Sequence, residues 1–268
     1  MSSVSTGWIS MTSLFIVSIL RPERILVAML AKKSGLWHPL NRASSCWDCR
    51  MAFTVLILKR KNSPSIAILC RENRKSLERR KGGKAGPDGR FYVGCMGEKQ
   101  SDGLYRIEAD GRWTEIESGI TCSNGLVWSL DNRTFYYIDS PTRSVVAYDF
   151  DIEKGELSNR RTIIDVDPGM GIPDGMTIDL KGMLWIAHWQ GWHVRRWDPN
   201  TGNVLQEVPI PVKRLTSCAF VGADYQDLYV TTSSVEVTDK DWAGEPQTGG
   251  LFRIRMDVAG VPCFAFGG

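Results

Sequence analysis

The residues best suited to chemistry sit in two short, turn-like stretches. Asn124 precedes Gly125 in Cys122-Ser-Asn-Gly-Leu-Val-Trp128, and Asp174 precedes Gly175 in Ile172-Pro-Asp-Gly-Met176. Ser217 holds a related place 43 residues after Asp174. An Asn amide oxygen and an Asp carboxylate brought to one point are hard donors, suited to calcium, magnesium or manganese and acceptable to zinc. A carboxylate there can also act as general base toward a bound water. Asn-Gly and Asp-Gly are equally common turn pairs, favoured where the backbone turns left-handed. Taken alone, the two pairs leave both readings open.

The elements that must position these residues recur. A polar turn followed by β-forming residues appears as Asp88-Gly-Arg-Phe-Tyr-Val-Gly, Asp131-Asn-Arg-Thr-Phe-Tyr-Tyr-Ile, Lys181-Gly-Met-Leu-Trp-Ile-Ala and Tyr225-Gln-Asp-Leu-Tyr-Val-Thr, with Phe91, Phe135, Leu184 and Leu228 at steps of 44, 49 and 44 residues. A second strand follows each copy, beginning at Gly103, Ser144, His193 and Gly249. A third strand precedes the last three copies, beginning at Asn124, Asp174 and Ser217. Short strands at this period, with no amphipathic helix between units, predict an all-β propeller. A doubly wound α/β fold would need helical crossovers, and none is visible. Four units are clear. Because four open units would leave sheet edges exposed, earlier blades are expected, with residues 36–58 a less regular source of strands. Inner strands of a propeller line its channel, so Asn124 and Asp174 would open onto that channel.

The near-neutral charge of +3 hides a break in the chain. Residues 1–84 carry 16 Lys+Arg and 4 Asp+Glu, whereas residues 85–268 carry 17 and 26. We therefore read residues 1–82 as an atypical basic segment, a degraded form of the first blades, and residues 83–268 as the propeller domain. Ten Lys and Arg between Lys59 and Lys84 lack a helical face or interleaved aromatics, so a solvated surface is expected and no nucleic-acid partner. Trp8–Leu20 is an apolar run of 13 residues, shorter than the roughly 20 a helix needs to cross a bilayer. No membrane partner is expected. Seven scattered cysteines read as thiols of a reducing compartment, and the expected location is the cytoplasm. The close pair Cys46 and Cys49 lacks partners spaced for zinc.

Two further patterns invite chemical readings and are better explained by structure. Asp149-Phe-Asp-Ile-Glu-Lys-Gly155 opens like a calcium loop, but Lys154 and Arg160 stand where Gly and Glu are required, so a hairpin turn is expected. His188 and His193, separated by a Gly turn, are expected in a strand–turn–strand. There is no Gly-x-Ser-x-Gly elbow and no phosphate-binding glycine loop.

The stretch Cys122–Ser140, with Ser158-Asn-Arg-Arg161, Ile172-Pro-Asp-Gly-Met176, Leu184-Trp-Ile-Ala187 and Thr216-Ser-Cys-Ala-Phe220, resembles the senescence marker protein/gluconolactonase/regucalcin-like family. The resemblance runs from about Gly83 to the carboxyl terminus. It implies a six-bladed β-propeller with one divalent cation in the channel, and hydrolysis of a sugar lactone as the small-molecule partner. It also implies Asn124 and Asp174 as metal ligands, with Asp174 as general base as well. Other motifs depart from the family pattern. Lys33 stands where a third, carboxylate ligand is expected in Lys32-Lys33-Ser-Gly-Leu-Trp-His-Pro39. The substrate motif Arg-x-Asn-Asp-Gly survives only as Arg79 and Gly83. The resemblance places Glu98 at an acidic substrate contact, or Lys99 if the alignment moves by one residue. An ammonium in place of a carboxylate repels a cation, so metal affinity and activity are expected to be impaired. The competing reading is a non-catalytic calcium-binding or ligand-binding propeller.

Overall fold

A computed structural model describes residues 29–30, 54–55, 79–97, 99–235 and 237–267. Its fold is a run of antiparallel sheets, one per repeat. Strands β1 (Met29–Leu30) and β2 (Thr54–Val55) form a short pair, with β2 inside the expected strand-bearing stretch. The first blade comprises β3 (Arg79–Ala85), β4 (Phe91–Met96), β5 (Asp102–Ile107) and β6 (Trp113–Ile120). The second comprises β7 (Ser123–Trp128), β8 (Thr134–Asp139), β9 (Ser144–Asp151) and β10 (Glu156–Asp165). In the third are β11 (Ile172–Ile178), β12 (Leu184–Trp189), β13 (His193–Trp197) and β14 (Val204–Pro209). The fourth holds β15 (Leu215–Val221), β16 (Asp227–Thr232) and β17 (Leu251–Arg255). Strands β3, β7, β11 and β15 are the inner strands, each packed beside the next. This is the propeller arrangement expected from the repeat.

The repeated turn has a common physical basis. Asp88, Asp131, Asp179 and Asp224 each accept a hydrogen bond from the backbone N–H two residues on, at 3.2, 3.1, 2.8 and 3.2 Å. A side chain that closes its own turn fixes where the next strand begins. The left-handed conformation that such turns require is taken by Gly89 and Asn132 among others.

The core lies between blades rather than inside one sheet. All six residues of β7 are buried, and its Leu126 and Trp128 pack with Tyr92 of the first blade and Phe135 of the second. Val127 instead joins Met176, Ile178 and Ile186 of the third blade. Burying one such side chain contributes about 1.5–3 kcal/mol, so the alternation of β7 binds its blade to both neighbours.

Two features differ from the sequence reading. Strand β3 begins inside the basic segment, where Arg79-Arg-Lys-Gly-Gly-Lys-Ala85 has no alternating apolar pattern. It forms because β4 supplies its ladder of hydrogen-bonding partners. The first three blades also carry a fourth, outer strand: β6, β10 and β14. These strands are mostly exposed, so their sequences are polar and read as loops. The one α-helix among the described residues, α1 (Asp239–Gly244), lies between β16 and β17. It is opened by reciprocal capping of Thr238 and Asp241. The two further blades implied by the resemblance, the Cys46–Cys49 pair and the apolar run from Trp8 to Leu20 lie outside the described residues apart from β1 and β2.

Candidate functional site

Asn124 is the second residue of β7 and Asp174 the third of β11, so both stand at the starts of adjacent inner strands. Asn124 is buried and Asp174 is half-buried. A short relay joins their surroundings. The Asn124 Nδ2 donates to Ser140 Oγ at 2.6 Å, and Ser140 Oγ donates to the carbonyl of Pro173, also at 2.6 Å. The amide nitrogen is thereby committed to Ser140, which leaves Oδ1 as the acceptor end of the side chain.

Glycine lets the two strands approach this closely. A Cβ at Gly125 would lie 2.8 Å from the carbonyl oxygen of Asp174 and 2.5 Å from Cβ of Met176. At Gly175 it would lie 2.6 Å from Cβ of Ser217, so the next inner strand is equally near. Asn-Gly and Asp-Gly therefore serve close packing here. Neither glycine adopts the left-handed backbone that a turn would need.

Ser140 was not legible as a site residue. It opens a single 3-10 turn, Ser140–Thr142, after β8. The turn is anchored by Asp139, whose carboxylate accepts from Cys122 N at 2.7 Å and Thr121 N at 3.2 Å. Ser140-Pro-Thr on its own suggests only a turn, and only the fold brings it beside Pro173.

The remaining sequence candidates divide clearly. Arg79 is the first residue of β3, while Glu98 and Lys33 lie outside the described residues. Asp149–Gly155 is a hairpin between β9 and β10. Asp151 Oδ1 accepts from the N–H groups of Glu153 and Lys154, each at 3.0 Å. His188 is fully buried in the third blade, where its ring stacks on Trp197 with centroids 6.0 Å apart. Burial, helped by the nearby Arg195 charge, pushes its pKa down to about 3, so the imidazole is neutral. His193 Nδ1 lies 2.8 Å from the carbonyl of Gly191, across the expected turn.

An amide oxygen and a carboxylate are the hard donors that a calcium-, magnesium- or manganese-type cation prefers. In donor chemistry Asn124 and Asp174 therefore fit such an ion. Among the described residues, no three His, Cys, Asp or Glu side chains gather as a complete protein cage.

Comparison with known proteins fits this architecture. The profile of the SMP-30/Gluconolactonase/LRE-like region matches residues 10–234, and so runs through the basic segment as well as the blades. The chain is 41% identical to regucalcin of Danio rerio over 210 residues, covering 76% of this chain and 71% of that protein. It is 33% identical to regucalcin of Oryctolagus cuniculus over 270 residues, covering 91% and 90%. Among solved structures it is similar to a luciferin-regenerating enzyme, with 32% identity and a TM-score of 0.66. That superposition covers 70% of this chain and 65% of the other, just under two thirds of its length. A calcium-binding protein, regucalcin, from Agrobacterium tumefaciens superposes with 27% identity and a TM-score of 0.67 over the same shares. With its profile match, its relatives and its propeller blades in agreement, the chain belongs to the SMP-30/gluconolactonase/LRE-like family.

Proposed function

We propose that the protein is a metal-dependent hydrolase of sugar lactones, of the gluconolactonase type. The observation that supports this reading is the relay from Asn124 through Ser140 to the carbonyl of Pro173, the residue before Asp174 on the adjoining inner strand. Asn124 and Asp174 would hold one divalent cation, with calcium, zinc, magnesium and manganese as the candidates. When bound, that ion supplies Lewis acidity toward the lactone carbonyl. Asp174 accepts the proton of the attacking water as the water adds to that carbonyl. The ring C–O bond then breaks, and the ring oxygen takes that proton from Asp174 and leaves as the hydroxyl of the open acid. Asn124, tied to Ser140, keeps its oxygen directed without changing charge. Arg79 and Glu98 are the proposed substrate contacts, and the cytoplasm is the proposed compartment.

Two observations favour a second reading, a calcium-binding propeller without turnover. The relatives include proteins named regucalcin, one of them described as calcium-binding. Lys33 also occupies the position where the family resemblance expects a third carboxylate. One experiment separates the two. Acid release from a sugar lactone is followed by pH-stat with chelator and with each divalent ion, alongside calorimetric titration of the same ions. The hydrolase reading expects a metal-stimulated rate that chelator removes. Ion binding with a rate equal to buffer at saturating metal would give the second reading the field.

A further inference from the structure

One inner-strand carbonyl is satisfied from 92 residues away along the chain. Lys84, next to last in β3, donates through Nζ to the carbonyl of Met176 in β11 at 2.8 Å. These residues belong to the first and third blades, so the bond links two inner strands that are separated by β7. Burial lowers the pKa of the ammonium, and the thiol of Cys263 is its foremost electrostatic neighbour. Cys263 belongs to the segment that follows β17, close to the carboxyl terminus.

That segment crosses the blades in reverse order. Gly260 N donates to the carbonyl of Tyr225 in the fourth blade at 2.8 Å, and Leu180 N of the third blade donates to Ala259 O at 2.9 Å. Phe264 meets Trp128 of the second blade edge-on, with centroids 6.4 Å apart. Phe266 meets Phe91 of the first blade in the same way at 6.1 Å, and Gly267 N reaches Gly89 O at 2.8 Å. At Gly260 the approach is close enough that a Cβ would lie 2.3 Å from Cβ of Phe220. Every one of these contacts lies at the end where the inner strands finish: Trp128 ends β7, and Leu180 lies just beyond the end of β11. Asn124 and Asp174 lie at the end where those strands start.

We propose that Lys84 and the carboxyl-terminal strap Ala259–Gly267 form the floor of the channel, leaving a single mouth on the Asn124 and Asp174 side. The consequence for substrate rests on the proposed function: a ligand held by those two residues must be compact, as one sugar lactone is, and cannot be a polymer threaded through the propeller. The floor itself can be tested without any assay of hydrolysis.

The test is amine acylation under native conditions, with acetic anhydride as the probe and peptide mapping by mass spectrometry as the readout. In the parent protein Lys84 should be acylated much more slowly than the exposed Lys154. In Phe264→Ala/Phe266→Ala the strap loses its two ring anchors, and acylation of Lys84 should accelerate by about tenfold, the scale of a modest local opening. Alkylation of Cys95, buried in the first blade, reports whether the blades stay folded. If Cys95 becomes reactive, Phe264→Leu/Phe266→Leu replaces the first variant, and its weaker anchors should still quicken Lys84 several-fold. Equal Lys84 rates in parent and folded variant, or a parent Lys84 as reactive as Lys154, would overturn the floor. Failure of lactone hydrolysis would leave this result untouched.

Discussion

Asp174 and Asp179 stand at opposite ends of β11, and their surroundings differ in kind. Asp179 is fully buried, and its oxygens accept from Lys181 N, Met183 N, Trp185 Nε1 and Arg196 Nε at 2.8, 3.1, 2.9 and 2.7 Å. Asp174 is half-buried at the channel end, beside a neighbouring strand held close by Gly125. A carboxylate saturated by four donors has no lone pair left for a proton or an ion, so Asp179 ties a turn to a blade. Chemistry needs a carboxylate that solvent and ligand can still reach. The contrast teaches that burial and a full set of donors mark Asp179 as a structural acid where the residue type does not.

The sharpest way to break this comparison is to remove charge from one aspartate at a time. Asp174→Asn should cut metal-dependent lactone hydrolysis by about 10²–10⁴-fold even at saturating metal, with an unfolding midpoint close to the parent. Asn124→Ala should be partly rescued by added metal, because it removes only a neutral oxygen. Initial rates against metal concentration check both, and full recovery of Asp174→Asn at high metal would leave Asp174 a ligand only.

Asp179→Ala should act on stability instead. It strands the Arg196 guanidinium and the Trp185 indole N–H in the blade seam, at a cost of about 3–5 kcal/mol. Urea unfolding measures it. A loss below about 1 kcal/mol would show that Asp179 is not the structural member of the pair.

His188 extends the comparison to pH. Its folded pKa of about 3 lies below the ordinary value of 6.5, so the unfolded chain binds a proton that the folded chain refuses. Stability should therefore fall as pH drops from about 6.5 toward 3, by up to about 1.4 kcal/mol per unit from this group. His188→Phe should flatten that part of the curve relative to the parent. Parallel curves for the two proteins would remove His188 from the account.

The smallest expected effect lies in the relay. Ser140→Ala leaves the Asn124 amide and the Pro173 carbonyl without their shared partner, costing about 1–3 kcal/mol. Calorimetric metal affinity should fall with it, whereas Ser140→Thr should retain most of both. Unchanged affinity in Ser140→Ala would separate the relay from the candidate site.

Much of this molecule is legible in its residue order, because a blade is built from local patterns. Turn-forming Asp88 and Asp131, each followed by a β-forming run, announce the repeat, and the inner strands follow from it by position. The family motifs likewise name Asn124 and Asp174. The outer strands escaped because their exposed side chains leave no apolar alternation to read, and β3 escaped because partner strand β4 rather than its own pattern makes it a strand. Ser140 and Lys84 escaped for a different reason. The hydrogen bonds that define them reach 33 and 92 residues along the chain, to Pro173 and Met176. The sequence by itself determined the repeat and the all-β class, since both depend on neighbours a few residues away, and its family motifs pointed to the two candidate ligands. Only the tertiary structure decided which aspartate is saturated, which serine joins the two strands and which end of the channel the carboxyl terminus crosses. Those outcomes depend on distances between blades, and no local pattern encodes them.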